Sequence, residues 1–249
     1  MSTAPVFLSG ALSGAGPGAL LRLDGPEGRH AVTVRRLRPG EEIVLTDGAG
    51  TAARGTVAAV TGKDSLDVAV EEAVAEPAPD PWLTVVQALP KGDRGELAVE
   101  TMSETGVDAI VPWAAARCVT QWKGERGERA LAKWRAAARE AGKQARRARF
   151  CEVAEPVGTR EAARGVVAGA AFAAVLHESA TEPLATAPLP TGGRIVLIVG
   201  PEGGVTDQEL AAFAEAGARP CRLGPTVLRT STAGTAAAAL LLGRTGRWS

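Results

Sequence analysis

Arg194-Ile-Val-Leu-Ile-Val199 runs directly into Gly200-Pro-Glu-Gly-Gly204, and the reading of this junction decides the fold. An unbroken run of branched apolar residues, without polar alternation, is the signature of a strand buried on both faces. Such strands belong to parallel sheets covered by helices, and ligands of these sheets bind beyond the carboxyl ends of the strands. Gly200–Gly204 therefore stands where a site is expected. Thr206, with Glu209 three positions on, is a capping box that opens a helix over Thr206–Ala216.

Working outward, strand and helix alternate along most of the chain. Leu83–Leu89, Ala109–Val111, Phe172–Leu176 and Pro220–Leu223 read as further strands. Asp93–Thr105 (ending at Gly106), Glu125–Arg147, Thr159–Val167 and Ser231–Leu242 read as helices, the last capped by Thr230 or Ser231. This alternation predicts an α/β domain with a mostly parallel sheet. Before it, Val32–Leu37, Glu42–Thr46, Ala52–Val60 and Leu66–Val70 are short strand-like runs. Turn signals at Arg38-Pro-Gly40, Asp47-Gly-Ala-Gly50 and Thr61-Gly-Lys-Asp64 separate them, which suggests a small β-barrel. Glu76-Pro-Ala-Pro-Asp-Pro81 places three prolines between the two rhythms and marks the boundary, giving domains 1–75 and 76–249.

The 249 residues are 45% hydrophobic, enough for one or two domains with sizeable cores. No stretch reaches the ~18 apolar residues of a membrane span. The N-terminus shows no basic segment followed by an apolar one, so no secretory signal is expected. Cys118, Cys151 and Cys221 have no metal-ligand spacing and read as reduced thiols of a cytoplasmic protein that carries no metal. Formal net charge is zero, yet Arg117, Lys123, Arg126, Arg129, Lys133, Arg135, Arg139, Lys143, Arg146, Arg147 and Arg149 face only Glu125, Glu128 and Glu140. Such an excess is either a polyanion-binding surface or a solvated helix face.

A second loop, Leu223-Gly-Pro-Thr-Val-Leu-Arg-Thr230, follows the next strand and opens the final helix. Phosphate binding is disfavoured at the first loop: it lacks Gly-Lys-Ser/Thr and G-x-G-x-x-G spacing, and Glu202 stands where a phosphate would sit. Each loop alone reads as a tight turn. The pair, at the same sheet edge with Glu202 on one member and Arg229 on the other, reads as two walls of one pocket.

The strings Ile198-Val-Gly-Pro-Glu-Gly-Gly204 and Leu223-Gly-Pro-Thr-Val-Leu-Arg-Thr230 resemble the signature motifs of the RsmE family, bacterial 16S rRNA (uracil-N3)-methyltransferases of the SPOUT superfamily. Leu89-Pro-Lys-Gly-Asp-Arg94, Glu104-Thr-Gly-Val107 with Ile110-Val-Pro112, Arg117-Cys-Val119, and Gly28-Arg-His30 with Val34-Arg-Arg-Leu37 and Pro39-Gly40 extend the resemblance in order along the chain. Two departures stand out. Lys143-Gln-Ala145 occupies a place that usually reads close to Glu-Gln-Ser, and Thr226-Val-Leu-Arg229 replaces the commoner Arg-Ile-Leu-Arg.

The resemblance implies an N-terminal PUA-like β-barrel and a C-terminal domain with a trefoil knot. It also implies S-adenosylmethionine as cofactor and a homodimer. The substrate would be 16S rRNA, within the assembled small ribosomal subunit, so the protein would serve rRNA processing and ribosome biogenesis. Arg229 would stabilise the uracil anion, and Glu202 would orient the cofactor or join in proton removal. Leu176, His177, Val199, Gly200, Pro201, Gly203, Gly204, Leu223, Gly224, Val227, Leu228, Thr232 and Ala233 would hold the cofactor. Arg22, Arg29, His30, Arg35, Arg36, Lys91 and Arg94 would hold RNA, with phosphate contacts also from Arg117–Arg149. Two alternatives stand beside this: a SPOUT methyltransferase acting on a ribose 2′-hydroxyl or another RNA, and a non-catalytic RNA-binding ribosome-assembly factor.

Overall fold

The run at Arg194–Val199 forms a strand whose residues Ile195–Val199 are all buried. The computed structural model describes residues 4–12 and 14–248. The chain divides into two compact units: residues up to Ala78 with Gly142–Phe150, and Pro79–Ala141 with Cys151 onward. The break between Ala78 and Pro79 falls inside the proline-rich stretch. The return of Gly142–Phe150 to the first unit carries no sequence signal.

In the first unit, β1 (Val6–Leu8), β2 (Leu20–Leu23), α1 (Gly25–Arg29), β3 (Glu42–Thr46), β4 (Thr51–Val60) and β5 (Leu66–Ala75) appear in that order. The sheet order is β1-β3-β4-β5-β2, with β1 and β3 parallel and the other pairs antiparallel. Register shifts at Arg54/Gly55 and Val57/Ala59 curl the β4–β5 pair, as bulges do. Phe7, Leu23, Ile43, Leu45, Leu66 and Val68 fill the core inside the curl.

The strand expected at Val32–Leu37 is absent. α1 continues instead as a wider π-type turn over His30–Val34, and Leu37 closes it by donating to the Ala31 carbonyl. Pro26 starts the helix at a position that suits proline. Ala31 is then fully buried in the core and His30 packs edge-on against Phe7. That packing overrides the β-propensity of Val32, Thr33 and Val34, which is itself strongly context-dependent.

The second unit contains β6 (Trp82–Ala88), α2 (Arg94–Thr105), β7 (Ala109–Trp113), most of α3 (Gly124–Gln144), β8 (Glu152–Val153), α4 (Thr159–Ala162), β9 (Phe172–Leu176), β10 (Arg194–Val199), α5 (Asp207–Glu215), β11 (Arg219–Cys221) and α6 (Thr230–Arg244). The six strands form one sheet, β11-β9-β10-β6-β7-β8, and every pairing is parallel. Alternate residues of β10 enter opposite cores. Ile195, Leu197 and Val199 meet Val99 and Met102 of α2, Leu131 and Trp134 of α3, and Ala237 and Leu241 of α6. Val196 and Ile198 meet Ala162 of α4 and Phe213 of α5. This double covering explains the unalternating apolar strands. The helix read at Thr159–Val167 is α4 followed by a π-type turn at Ala163–Val167. The final helix is capped by neither Thr230 nor Ser231; its N-cap residue is Arg229, and no side chain caps it.

Lys143, the departure from the family string, is buried in the first unit with its Nζ 2.9 Å from Glu27 Oε1. Glu27 Oε2 accepts from the backbone N–H of Leu8, so the carboxylate is fixed at both oxygens. Lys143→Ala should lower stability by about 1–3 kcal/mol in urea denaturation. This is less than the cost of breaking a fully buried pair, because the Glu27 side chain is 25% exposed. A loss under ~0.5 kcal/mol, the scale of surface substitutions, would show the pair to be inert.

Candidate functional site

Because all strands of the second sheet are parallel, the segments that follow β6, β7, β9, β10 and β11 leave at one edge. They enclose a cavity of about 920 Å³, within the size range of small-molecule sites. Leu176, His177, Val199–Gly204, Leu223, Gly224, Val227–Arg229 and Ala233 line it, as do Lys91 and Arg94. Of the pocket residues read from the sequence, Thr232 alone lies off the lining; its hydroxyl donates to the Arg229 carbonyl at 3.3 Å. Gly92, Arg117, Glu178, Val205 and Arg222 also line the cavity and were not read as pocket residues.

The Gly200–Gly204 loop is strapped from three directions. Glu202 Oε1 accepts from the Lys91 backbone N–H at 3.3 Å. Arg117 Nη1 donates to the Gly203 carbonyl at 3.0 Å. A Cβ on Gly203 would lie 3.0 Å from Arg117 Cβ, tighter than side chains ordinarily approach, so glycine lets the loop rest closely on that side chain. Thr120 Oγ1 then donates to the Pro90 carbonyl at 2.8 Å, tying the segment after β7 to the segment after β6.

Glu209 anchors the third strap. Its Oε2 accepts from the backbone N–H and hydroxyl of Thr206, completing the capping box, while its Oε1 accepts from the Ala116 N–H at 2.8 Å and the Thr159 hydroxyl at 3.1 Å. Burial pushes this carboxyl up. The N–H groups of Ala116 and Thr206 and the hydroxyls of Thr206 and Thr159 outweigh that effect and hold it below the ordinary value. The sequence showed Glu209 as a cap; its grip on Ala116, one residue before Arg117, has no local signature.

The Leu223–Leu228 wall is built differently. Arg222 is fixed by backbone bonds with Glu182 and Leu184, but no backbone hydrogen bond joins residues 223–228 to the rest of the described chain. Their N–H and C=O groups are available to a ligand. A Cβ on Gly224 would meet no atom within 4 Å, so glycine here leaves cavity space open. The Arg229 side chain is exposed and makes no hydrogen bond or ion pair among the described residues. At the β9 end, the Ser179 N–H donates to His177 Nδ1 at 3.3 Å. The Ser179 hydroxyl lies 2.9 Å from the same nitrogen, so Ser179 holds the ring by Nδ1 and leaves Nε2 available for hydrogen bonding.

Cys221 is buried and its thiol is pushed up to about 11 by burial and by Glu182. Burial likewise raises the Cys118 thiol. Both stay protonated and are poor nucleophiles.

The expected cations fall into distinct groups. In the first unit Arg29, Arg35 and Arg36 are exposed, His30 is half-buried on Phe7, and Arg22 is paired with Asp67 at 3.0 Å. In the basic run, Arg117, Arg129, Lys133, Arg135, Lys143 and Arg149 all have partners within the protein. Arg146 and Arg147 are engaged as well, so most of the run has partners within the protein, while Lys123, Arg126 and Arg139 are exposed.

Comparison with known proteins agrees with this geometry. A family model described as an RNA methyltransferase domain matches residues 76–242, and one described as an RNA methyltransferase PUA domain matches residues 23–71. A ribosomal RNA small subunit methyltransferase E from Mycobacterium tuberculosis is 47% identical over 93% of this chain and 89% of its own. Among solved structures, a methyltransferase from Legionella pneumophila in complex with SAM superposes with TM-score 0.85 at 26% identity, covering 98% of each chain. A ribosomal RNA small subunit methyltransferase E from Neisseria gonorrhoeae bound to S-adenosyl methionine superposes with TM-score 0.83 at 29% identity, covering 97% of this chain and 98% of the other. The α/β unit has the SPOUT methyltransferase fold and the curled sheet is PUA-like.

Glu209 gives a pH-dependent prediction. Its folded value lies below the ordinary one, so its contribution is complete above about pH 4.5 and is lost as pH falls through the folded value. Glu209→Gln should cost about 1–3 kcal/mol near neutrality. It should also lose less stability than the parent between about pH 5 and pH 3, followed by urea denaturation. Unchanged acid sensitivity would place the responsible carboxylate elsewhere.

Proposed function

We propose that this chain, which belongs to the ribosomal RNA small subunit methyltransferase E family, methylates N3 of a uridine in 16S rRNA, using S-adenosylmethionine. One observation carries the reading: the two Gly-Pro loops wall a single cavity, and Arg229 lines it with no partner for its guanidinium among the described residues.

The residues present fit the cofactor. Leu176, Val199 and Leu223 offer apolar surface to an adenine, and the unpaired backbone of 223–228 offers it donors and acceptors. Gly224 leaves room for it, and the His177 ring nitrogen not engaged by Ser179 can hydrogen-bond a polar group of the ligand. When bound, S-adenosylmethionine supplies a methyl group on a positively charged sulfur. Glu202, held by the Lys91 N–H, orients the Gly200–Gly204 loop around it.

Uracil N3 is a poor nucleophile until it loses its proton, and the resulting charge spreads onto O2 and O4. A guanidinium with no other partner stabilises that charge as it develops. Arg229 takes this role. Lys91 and Arg94 at the cavity, with Arg29, Arg35 and Arg36 of the PUA-like unit, hold RNA phosphates without reading sequence. Arg22 and His30 are weaker contributors, since each is engaged by a neighbour. The target uridine enters flipped out of its stack.

Two features of the family accompany this reading. The second unit is read as carrying a C-terminal trefoil knot. The chain is read as acting as a homodimer, with the pocket near the subunit interface. The substrate is read as the assembled small subunit, in the cytoplasm. No helix among the described residues is long and apolar enough to cross a membrane.

Incubation with labelled S-adenosylmethionine and unmodified small subunits, followed by nucleoside mapping, should yield 3-methyluridine. Label in a ribose 2′-O-methyl group, or no transfer, would contradict the reading. Arg229→Ala should lower kcat by about 10²–10³ with cofactor Kd within about threefold. A variant that loses cofactor affinity and keeps kcat would make Arg229 a loop anchor.

A further inference from the structure

Gln87 lies on the face of β6 that enters the apolar core. Leu83, Val85 and Leu89 precede and follow it at alternate positions and all belong to the core beneath α2 and α6. Gln87 shares that face, is fully buried, and is aligned across the sheet with Val199, the residue before Gly200. An apolar side chain is the ordinary occupant of such a position, because a buried amide must recover its hydrogen bonds.

The amide recovers half of them. Nε2 donates to the Ala88 carbonyl at 3.0 Å and to the Thr230 carbonyl at 3.2 Å. Two carbonyl partners fix which end of the amide is nitrogen. Oε1 has no partner among the described residues and lies near α6, where a Cβ on Gly234 would be 3.4 Å away. Thr230 is the first residue of α6 and directly follows Arg229. The contact therefore ties the central sheet to the place where the Leu223–Leu228 wall becomes helix, 143 residues away in sequence.

That wall has few other fixings. Its near end is held at Arg222 by Glu182 and Leu184, its middle has no backbone bonds to the rest of the described chain, and α6 starts without a side-chain cap. At its far end the Thr232 hydroxyl holds the Arg229 carbonyl from within α6, and Gln87 ties the next carbonyl, that of Thr230, to the central sheet. We infer that Gln87 is a positioning residue for Arg229: by holding the Thr230 carbonyl it sets the direction from which the guanidinium meets the substrate. This rests on the methyl-transfer reading and on the role of Arg229 within it. An apolar residue would fill the space equally well; what the amide adds is its two donors, to the Ala88 and Thr230 carbonyls.

The test is a double-mutant cycle with small subunits and labelled S-adenosylmethionine, read as kcat, cofactor Kd and Tm. Gln87→Met removes both donors at similar volume. It should lower kcat about tenfold to a hundredfold, the scale of a small misplacement of a catalytic group, with cofactor Kd within about threefold. In an Arg229→Ala background the same substitution should change kcat less than about twofold, because the group it positions is gone. A Gln87 that only supports the fold would lower Tm and act on kcat by the same factor in both backgrounds, and that result overturns the inference. Where Gln87→Met does not fold, Gln87→Asn keeps an amide too short to reach Thr230 and is carried through the same cycle. If Arg229→Ala alone leaves kcat intact, the role given to Arg229 fails and this inference falls with it. If Arg229→Ala is slow and the two effects multiply, only the inference falls.

Discussion

Burial of the parallel sheet on both faces leaves the strand ends as the places where polar chemistry meets solvent. Ile195–Val199, Leu83–Val86 and Phe172–Val175 send side chains alternately into the two cores. Since all six strands run the same way, the segments that end them gather at one edge. Gly200–Gly204 and Leu223–Arg229 become neighbours for that reason, although nothing in their own sequences requires it.

The two walls are secured by different physics. The Gly200–Gly204 loop is tightly held, by Glu202 on the Lys91 N–H and Arg117 on the Gly203 carbonyl, while Glu209 ties Thr206, just after the loop, to Ala116. The 223–228 wall is fixed at its ends and free between them. A rigid wall sets where a ligand sits. A wall with unpaired backbone groups can pair with an adenine without first breaking bonds of its own, so ligand binding there costs less reorganisation.

Much of this was legible in the sequence, and the reasons are physical. Runs such as Arg194–Val199 and Phe172–Leu176 show their burial directly, and the Thr206–Glu209 box is a local code. The two loops are recognisable because their chemistry is concentrated in a few consecutive residues. What was missed depends on distant partners. Arg117 reads as one more cation in a basic run, because its partner is a backbone carbonyl 86 residues on. Gln87 reads as part of an apolar strand, and its partner is farther still. Val32–Val34 look like a strand until Ala31 has a core to enter. Lys143 looks like a departure from the family string, and its pairing with Glu27 shows what it does in this chain.

The central claim is that the cavity between the two Gly-Pro loops holds the methyl donor and that Arg229 faces the base to be methylated. A crystal structure with S-adenosylhomocysteine and a uridine-containing RNA tests it most directly. Adenine is expected against Leu176, Val199 and Leu223, bonded to the backbone of 223–228, with the Arg229 guanidinium in hydrogen-bond reach of uracil O2 or O4. A cofactor bound outside this cavity, or an Arg229 directed away from the base, would contradict it.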